Sequence, residues 1–260
     1  VQKYYNEIPE LVFNDLSHLN TLAQIEYIMA YTFLNTRNFK MSLIHLKKLS
    51  TLIDQSEIVK VNYQAKYIAI ESFIQVFDNR IQEAIDSIDK FLDKNKNIIS
   101  VQEKLNLSLN LAAFLITKDS YSKAVRILNF MSEPDSYYQK EMGREWLVRK
   151  EMIMAIAQIS LENIDNGLKI MNSIEEKHKE MLGIDQYSMV VPFMRAIKKY
   201  IDNPHEINKE VLNQFEIQIN LQKDKVFNDP RLIIFYAWIK SKYVKKEAYS
   251  VMMEEFKKMA

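Results

Sequence analysis

The 260-residue sequence has no cysteine, only 3 glycines and only 5 prolines. Without cysteine there is no disulfide, no thiolate metal site and no thiol nucleophile. So little glycine argues against a phosphate-cradling loop, a nucleotide-binding sheet and a turn-rich β-sandwich, because each needs glycine where backbone turns tightly or approaches a ligand. An excess of one charge is missing too. The 35 Lys and Arg stand against 34 Asp and Glu, a formal charge of +1, so no whole-molecule field draws the chain to nucleic acid or anionic lipid. No apolar run approaches the roughly 20 residues that cross a bilayer, and Val1-Gln2-Lys3-Tyr4-Tyr5 lacks the apolar block of a secretory signal. The expectations are no membrane contact and a cytoplasmic location. An opening on Val1 reads as that of a fragment or processed chain, so whether a partner domain precedes it stays open.

What is present is helix-forming: 48% hydrophobic and 27% charged residues with few breakers, as in long helices joined by short connections. Periodicity and caps predict helices at 5–16, 20–36, 40–54, 57–77, 80–95, 101–117, 121–132, 137–161, 164–182, 186–202, 206–222, 230–243 and 246–258, with no strand. Ser100 with Glu103 forms a capping-box pattern, and Asn203-Pro204 and Asp229-Pro230 mark later breaks.

The helices repeat. Small residues stand at Ser42, Ala84, Ala124 and Gly167, spaced by 42, 40 and 43 positions, and a second small residue lies 12 positions before each, at Ala30, Ser72, Ala112 and Ala155. A large residue stands three positions before each of Ser42, Ala84, Ala124 and Gly167, at Phe39, Ile81, Tyr121 and Ile164. Large residues follow at Leu46 and Leu49, Ile88 and Phe91, Leu128 and Met131, and Met171 and Ile174. Two small side chains let two antiparallel helices approach closely, and the anchor closes the hairpin at its turn.

This pattern resembles the tetratricopeptide repeat over about residues 20–178. The family's early Trp and first Gly are absent, its closing Pro has a counterpart only near Pro134, and the period is about 42 rather than 34, which implies longer helices. The resemblance implies an all-α, right-handed α-solenoid of stacked antiparallel hairpins. Residues 1–19 are then an N-terminal capping helix, 20–182 four hairpins, and 183–260 irregular helical hairpins that continue or cap the solenoid.

Motifs for catalysis are lacking. His18, His45, His178 and His205 share no metal-ligand spacing and read as solvated or capping residues. Carboxylate pairs such as Glu175-Glu176 and Glu254-Glu255 read as solvated helix faces. No enzyme activity, metal or cofactor is expected. The C-terminal cluster of Lys240, Lys242, Lys245, Lys246, Lys257 and Lys258 reads as a solubilising face, with no direct nucleic-acid contact.

In the tetratricopeptide register the first helix of each unit lines a concave groove. The resemblance places Gln24, Tyr27, Tyr31, Asn35, Lys66, Phe73, Asn106, Asn110, Arg149 and Met152 there as peptide-binding candidates. Aromatics would supply contact area, amides would pair with peptide backbone, and Lys66 or Arg149 would meet a carboxylate. Tyr27 and Tyr31 occupy positions where chaperone-tail-binding members carry Lys and Asn, so that ligand is not expected. The function expected is a non-catalytic domain binding a protein or peptide segment, with the C-terminal helices as a homodimer contact. The alternative, which resembles the repeat domains of peptide-pheromone receptors of Gram-positive bacteria, is the sensing half of a transcription regulator whose DNA-binding domain lies outside this chain. A third is a scaffold within a larger assembly.

Overall fold

A computed structural model of the chain describes residues 18–95, 98–184, 190–202 and 232–258. Every regular element among them is helical: α1 (Leu19–Asn35), α2 (Phe39–Gln55), α3 (Glu57–Phe77), α4 (Ile81–Asn95), α5 (Val101–Thr117), α6 (Tyr121–Asn129), α7 (Asp135–Met142), α8 (Arg144–Ser160), α9 (Ile164–Lys177), α10 (Lys179–Leu182), α11 (Val190–Asp202), α12 (Leu232–Val244) and α13 (Ala248–Lys257). The protein is all-α. The helices expected at 5–16 and 206–222, and the breaks at Asn203-Pro204 and Asp229-Pro230, lie outside the described residues.

Local chemistry explains the helix starts. The Asn38 side chain accepts from the Met41 amide at 3.2 Å, and Ser56 does the same for Val59 at 3.4 Å. The Ser100–Glu103 capping box forms in both directions, with the Glu103 amide donating to Ser100 Oγ at 3.2 Å and the Ser100 amide to the Glu103 carboxylate at 3.3 Å.

The turns within five helix pairs share one geometry. Arg37, Asn79, Asp119, Glu162 and Lys245 each adopt a left-handed φ between 54° and 65°. The amide of the following residue then bonds back across the turn: Asn38 to the Phe33 carbonyl, Arg80 to Gln75, Ser120 to Leu115, Asn163 to Gln158 and Lys246 to Ser241. That six-to-one bond with a left-handed residue inside it is a Schellman ending, which satisfies carbonyls the helix leaves open. Each of the first four turns stands five residues before a small residue of the repeat.

The chain divides into two compact units between Leu107 and Ser108, within α5. In the first, α2 packs on α1 and α3, α3 on α4, and α1 also reaches α3. Ser42 is fully buried and donates from α2 to the Ala30 carbonyl of α1 at 2.8 Å, so the two small positions meet. The anchor Phe39 stacks on Phe77 with centroids 5.5 Å apart.

In the second unit, α8 packs on α6, α7 and α9; α9 reaches α10 and α11; α12 holds α11 and α13. A Cβ added at Gly167 would lie 2.4 Å from Ile159 Cγ1 and 3.2 Å from the Ala155 carbonyl, so α8 and α9 touch where the sequence put two small residues. At the final pair Trp238 stands where a small residue would be. It is fully buried, and its indole donates to Ser160 Oγ at 3.2 Å.

Two predicted helices are corrected. The helix expected over 137–161 is broken at Gly143, whose φ of 84° and ψ of 162° lie where only glycine goes readily. Space is not the reason for glycine here, since an added Cβ would meet nothing within 4 Å. The helix expected over 164–182 ends at Lys177 and, after His178, resumes as the single turn of α10.

Candidate active site

The groove candidates are only partly gathered. In the first unit Tyr27 and Tyr31 stack at 6.1 Å, Tyr27 meets Tyr63 at 6.1 Å, and Lys66 Nζ lies 4.8 Å from the Tyr63 ring centre. Lys66 also pairs with Glu103 at 3.5 Å, so its charge is offset. Tyr63 and Glu103 belong to this cluster and were not anticipated. Gln24 and Asn106 are exposed and Asn35 is half-buried, while Phe73 is buried. In the second unit Asn110 is half-buried, Met152 is buried, and Arg149 is engaged by Glu145 one turn earlier on α8.

Other expectations are corrected by burial. His45 and His178 are neither solvated nor capping by their side chains: they are buried at 2% and 5% exposure, and His45 Nδ1 lies 2.6 Å from Glu26 Oε2. His18 is exposed, and His205 lies outside the described residues. Glu255 is likewise buried and pairs with Lys240 at 3.4 Å and Lys258 at 2.5 Å. The C-terminal lysines are thus largely occupied, with Lys246 on Glu254 and Lys242 resting over the Tyr121 and Trp238 rings.

The second unit builds a different site. Close approach at Ala155 and Gly167 aligns the preceding turn of α8 with α9, and the start of α7 closes one side. The resulting cleft has a volume of about 520 Å³ and is lined by Lys150, Glu151 and Met154 from α8, Lys169 and Lys177 from α9, and Asp135 from α7. Lys177 Nζ pairs with Asp135 at 2.8 Å, and Lys150 Nζ sits 4.3 Å above the ring of buried Tyr138. Tyr138 is fixed in turn by stacking on Trp146 and by accepting from the Glu133 amide.

Behind the lysines, Glu151 Oε2 lies 3.5 Å from His178 Nε2, and their side chains are only 13% and 4% exposed. Among the described residues neither atom has a hydrogen-bond partner, and His178 Nδ1 has none either. Burial is the main influence on both groups. It raises the Glu151 carboxyl to about 7, with Asp135 adding and Lys177 and Lys150 opposing. It lowers His178, helped by repulsion from Lys177 and Arg144 and opposed by Asp135. Burial also lowers Lys150, whereas the Asp135 bond raises Lys177. Near neutral pH Glu151 therefore exchanges a proton readily beside a neutral imidazole, the condition that suits a general acid or base.

A curated protein is similar to this chain in sequence. Over 204 residues the chain is 22% identical to the protein named homocitrate synthase, omega subunit, of Clostridium pasteurianum. The match covers 72% of this chain and 57% of that protein, so the chain spans little more than half of its relative's length. No family model matches the chain, and no solved structure matches it. That relative overturns the expected function. A protein named as a synthase subunit is part of an enzyme, so a non-catalytic peptide-binding domain, or the sensing half of a transcription regulator, is the wrong class, and the expectation of no enzyme role falls with it.

Proposed function

We propose that the chain is the helical part of a synthase subunit and that Glu151, beside a neutral His178, is its general acid or base. The relative's name supports the class of activity. The observation that carries the residue assignment is the buried carboxyl and imidazole, 3.5 Å apart, at the wall of a lysine-bearing cleft. Glu151 would take up or release the proton and re-equilibrate with solvent at the cleft, while neutral His178 beside it adds no charge. The lysines would neutralise charge on an anionic substrate or product.

The architecture proposed beneath this site is a right-handed solenoid of tetratricopeptide-like hairpins. Recurrent Schellman turns and buried small-residue pairs favour it. Its role here is to fix the turns of α8 and α9 that hold the cleft.

Measurement of homocitrate in host cells tests the function. Removing the protein should deplete homocitrate, wild type should restore it, and Glu151→Gln should restore less than about a hundredth of the rate at equal protein level, the loss typical of a missing proton-transfer group. Undiminished homocitrate without the protein would overturn the synthase reading. Full rescue by Glu151→Gln would remove Glu151 from the chemistry.

A further inference from the structure

The cleft between α7, α8 and α9 has an imbalance that proton transfer alone does not explain. Lys150, Lys169 and Lys177 line it against two carboxylates, Asp135 and Glu151. Asp135 is already committed to Lys177 at 2.8 Å. Lys169 is exposed on α9 and forms no ion pair among the described residues. Part of the wall is instead apolar, formed by Leu128, Met131, Met154 and Ile170. A bare inorganic anion gains nothing from that wall, whereas an organic anion with several carboxylates on a carbon skeleton uses both the lysines and the apolar side chains.

We infer that the cleft binds a small polycarboxylate, its charges met by Lys150, Lys169 and Lys177, with protonated Glu151 donating a hydrogen bond to one of its carboxylates. The inference rests on the proposed site and names its ligand class. Homocitrate, in the relative's name, is itself a tricarboxylate.

Proton balance follows from the geometry. An ionised Glu151 would repel the ligand, so binding draws a proton onto Glu151 from solvent. Asp135 on α7 and the ligand favour that uptake, while Lys150 on the same helix and Lys177 on α9 oppose it. His178, held down by burial and then by Lys177 and Arg144, stays neutral and adds no charge. Because Glu151 titrates at about 7, affinity falls by about tenfold between roughly pH 6 and pH 8.

Calorimetric titration of the full-length protein with citrate tests this. Citrate should saturate one site near pH 6 and bind about tenfold more weakly near pH 8. Lys169→Ala should weaken binding about fivefold at the lower pH without altering the melting temperature, since the residue is exposed. Glu151→Gln, which still carries a donor, should bind as wild type does near pH 6 and keep only the pH dependence of citrate's own titration. Phosphate should bind far more weakly than citrate. Failure to saturate, an unchanged Lys169→Ala, a full pH dependence in Glu151→Gln, or phosphate binding as tight as citrate would each overturn the inference. The cellular homocitrate measurement separates the two failures: homocitrate lost without the protein, but no citrate bound, removes only the ligand assignment. Citrate bound with homocitrate unaffected keeps the cleft and removes the synthase.

Discussion

At the residue scale, Glu151 makes the protein's stability depend on pH in an uncommon direction. Its carboxyl titrates near 4.5 when exposed and at about 7 in the fold, so between those values the folded state holds the proton more tightly. The contribution is fully present below about pH 4.5 and is lost as pH rises through 7. His178 runs the other way. Its lowered titration means that stability rises as pH climbs toward the ordinary value of 6.5. Replacing Glu151 by Gln removes the first effect alone. Urea denaturation should find Glu151→Gln close to wild type near pH 4.5 and more stable by about 3 kcal/mol near pH 8. A difference that stays constant with pH would contradict the burial of an ionisable carboxyl here. Part of this was legible beforehand. Glu151 stands four residues before Ala155, as Glu26 stands four before Ala30, and that spacing places each glutamate on the helix face turned to its partner. His178 lies beyond the end of α9, where neither small residue gives a register, so no spacing linked it to Glu151.

At the element scale, two nearby positions should both favour glycine, for different reasons. Glu162 occupies a left-handed turn at φ 65°, where a side chain costs roughly 1 to 2 kcal/mol and glycine costs somewhat less in lost chain freedom. Glu162→Gly should therefore stabilise by about 0.5 kcal/mol. Gly167 is helical, and alanine there gains about 1 kcal/mol of propensity, yet its Cβ would collide with Ile159 and crowd the Ala155 carbonyl. Overpacking costs about 1 to 3 kcal/mol, so Gly167→Ala should destabilise by about 1 kcal/mol net. Thermal melts of the two variants check both signs, and a stabilised Gly167→Ala would show that α8 and α9 are not held in close contact. The helix pairing could be read from the small residues, but the break at Gly143 could not. Glycine within a helical pattern is often tolerated, and only its φ of 84° reveals the bend. The left-handed turns were hidden for the converse reason, being made by Arg37, Asn79, Asp119, Glu162 and Lys245 rather than glycine.

At the scale of the whole molecule, helix class was legible because it is a statistical property of the entire sequence, whereas the candidate site depends on a few side chains set by contacts that no motif records. Asp135, Glu151, Lys177 and His178 come from three helices and one junction. Each alone resembles the acids, lysines and histidines that cover any helical surface. The near-balance of charge has a physical consequence of its own. With 35 basic and 34 acidic residues the chain's isoelectric point is about 7.9, so its net charge nearly vanishes in mildly alkaline buffer. Molecules without net charge repel one another least and associate most readily. Static light scattering of the 260-residue chain should therefore show the strongest attraction between molecules near pH 8, weakening toward pH 6 and pH 10. Added salt acts on whichever force dominates at the minimum. If patches of opposite sign attract, roughly 0.2 M salt will weaken association through screening, whereas apolar contacts would persist. Persistence in salt is the expected outcome, because the described ion pairs intersperse both signs over the surface rather than segregating them into patches, while Ile58, Ile98 and Phe130 are exposed.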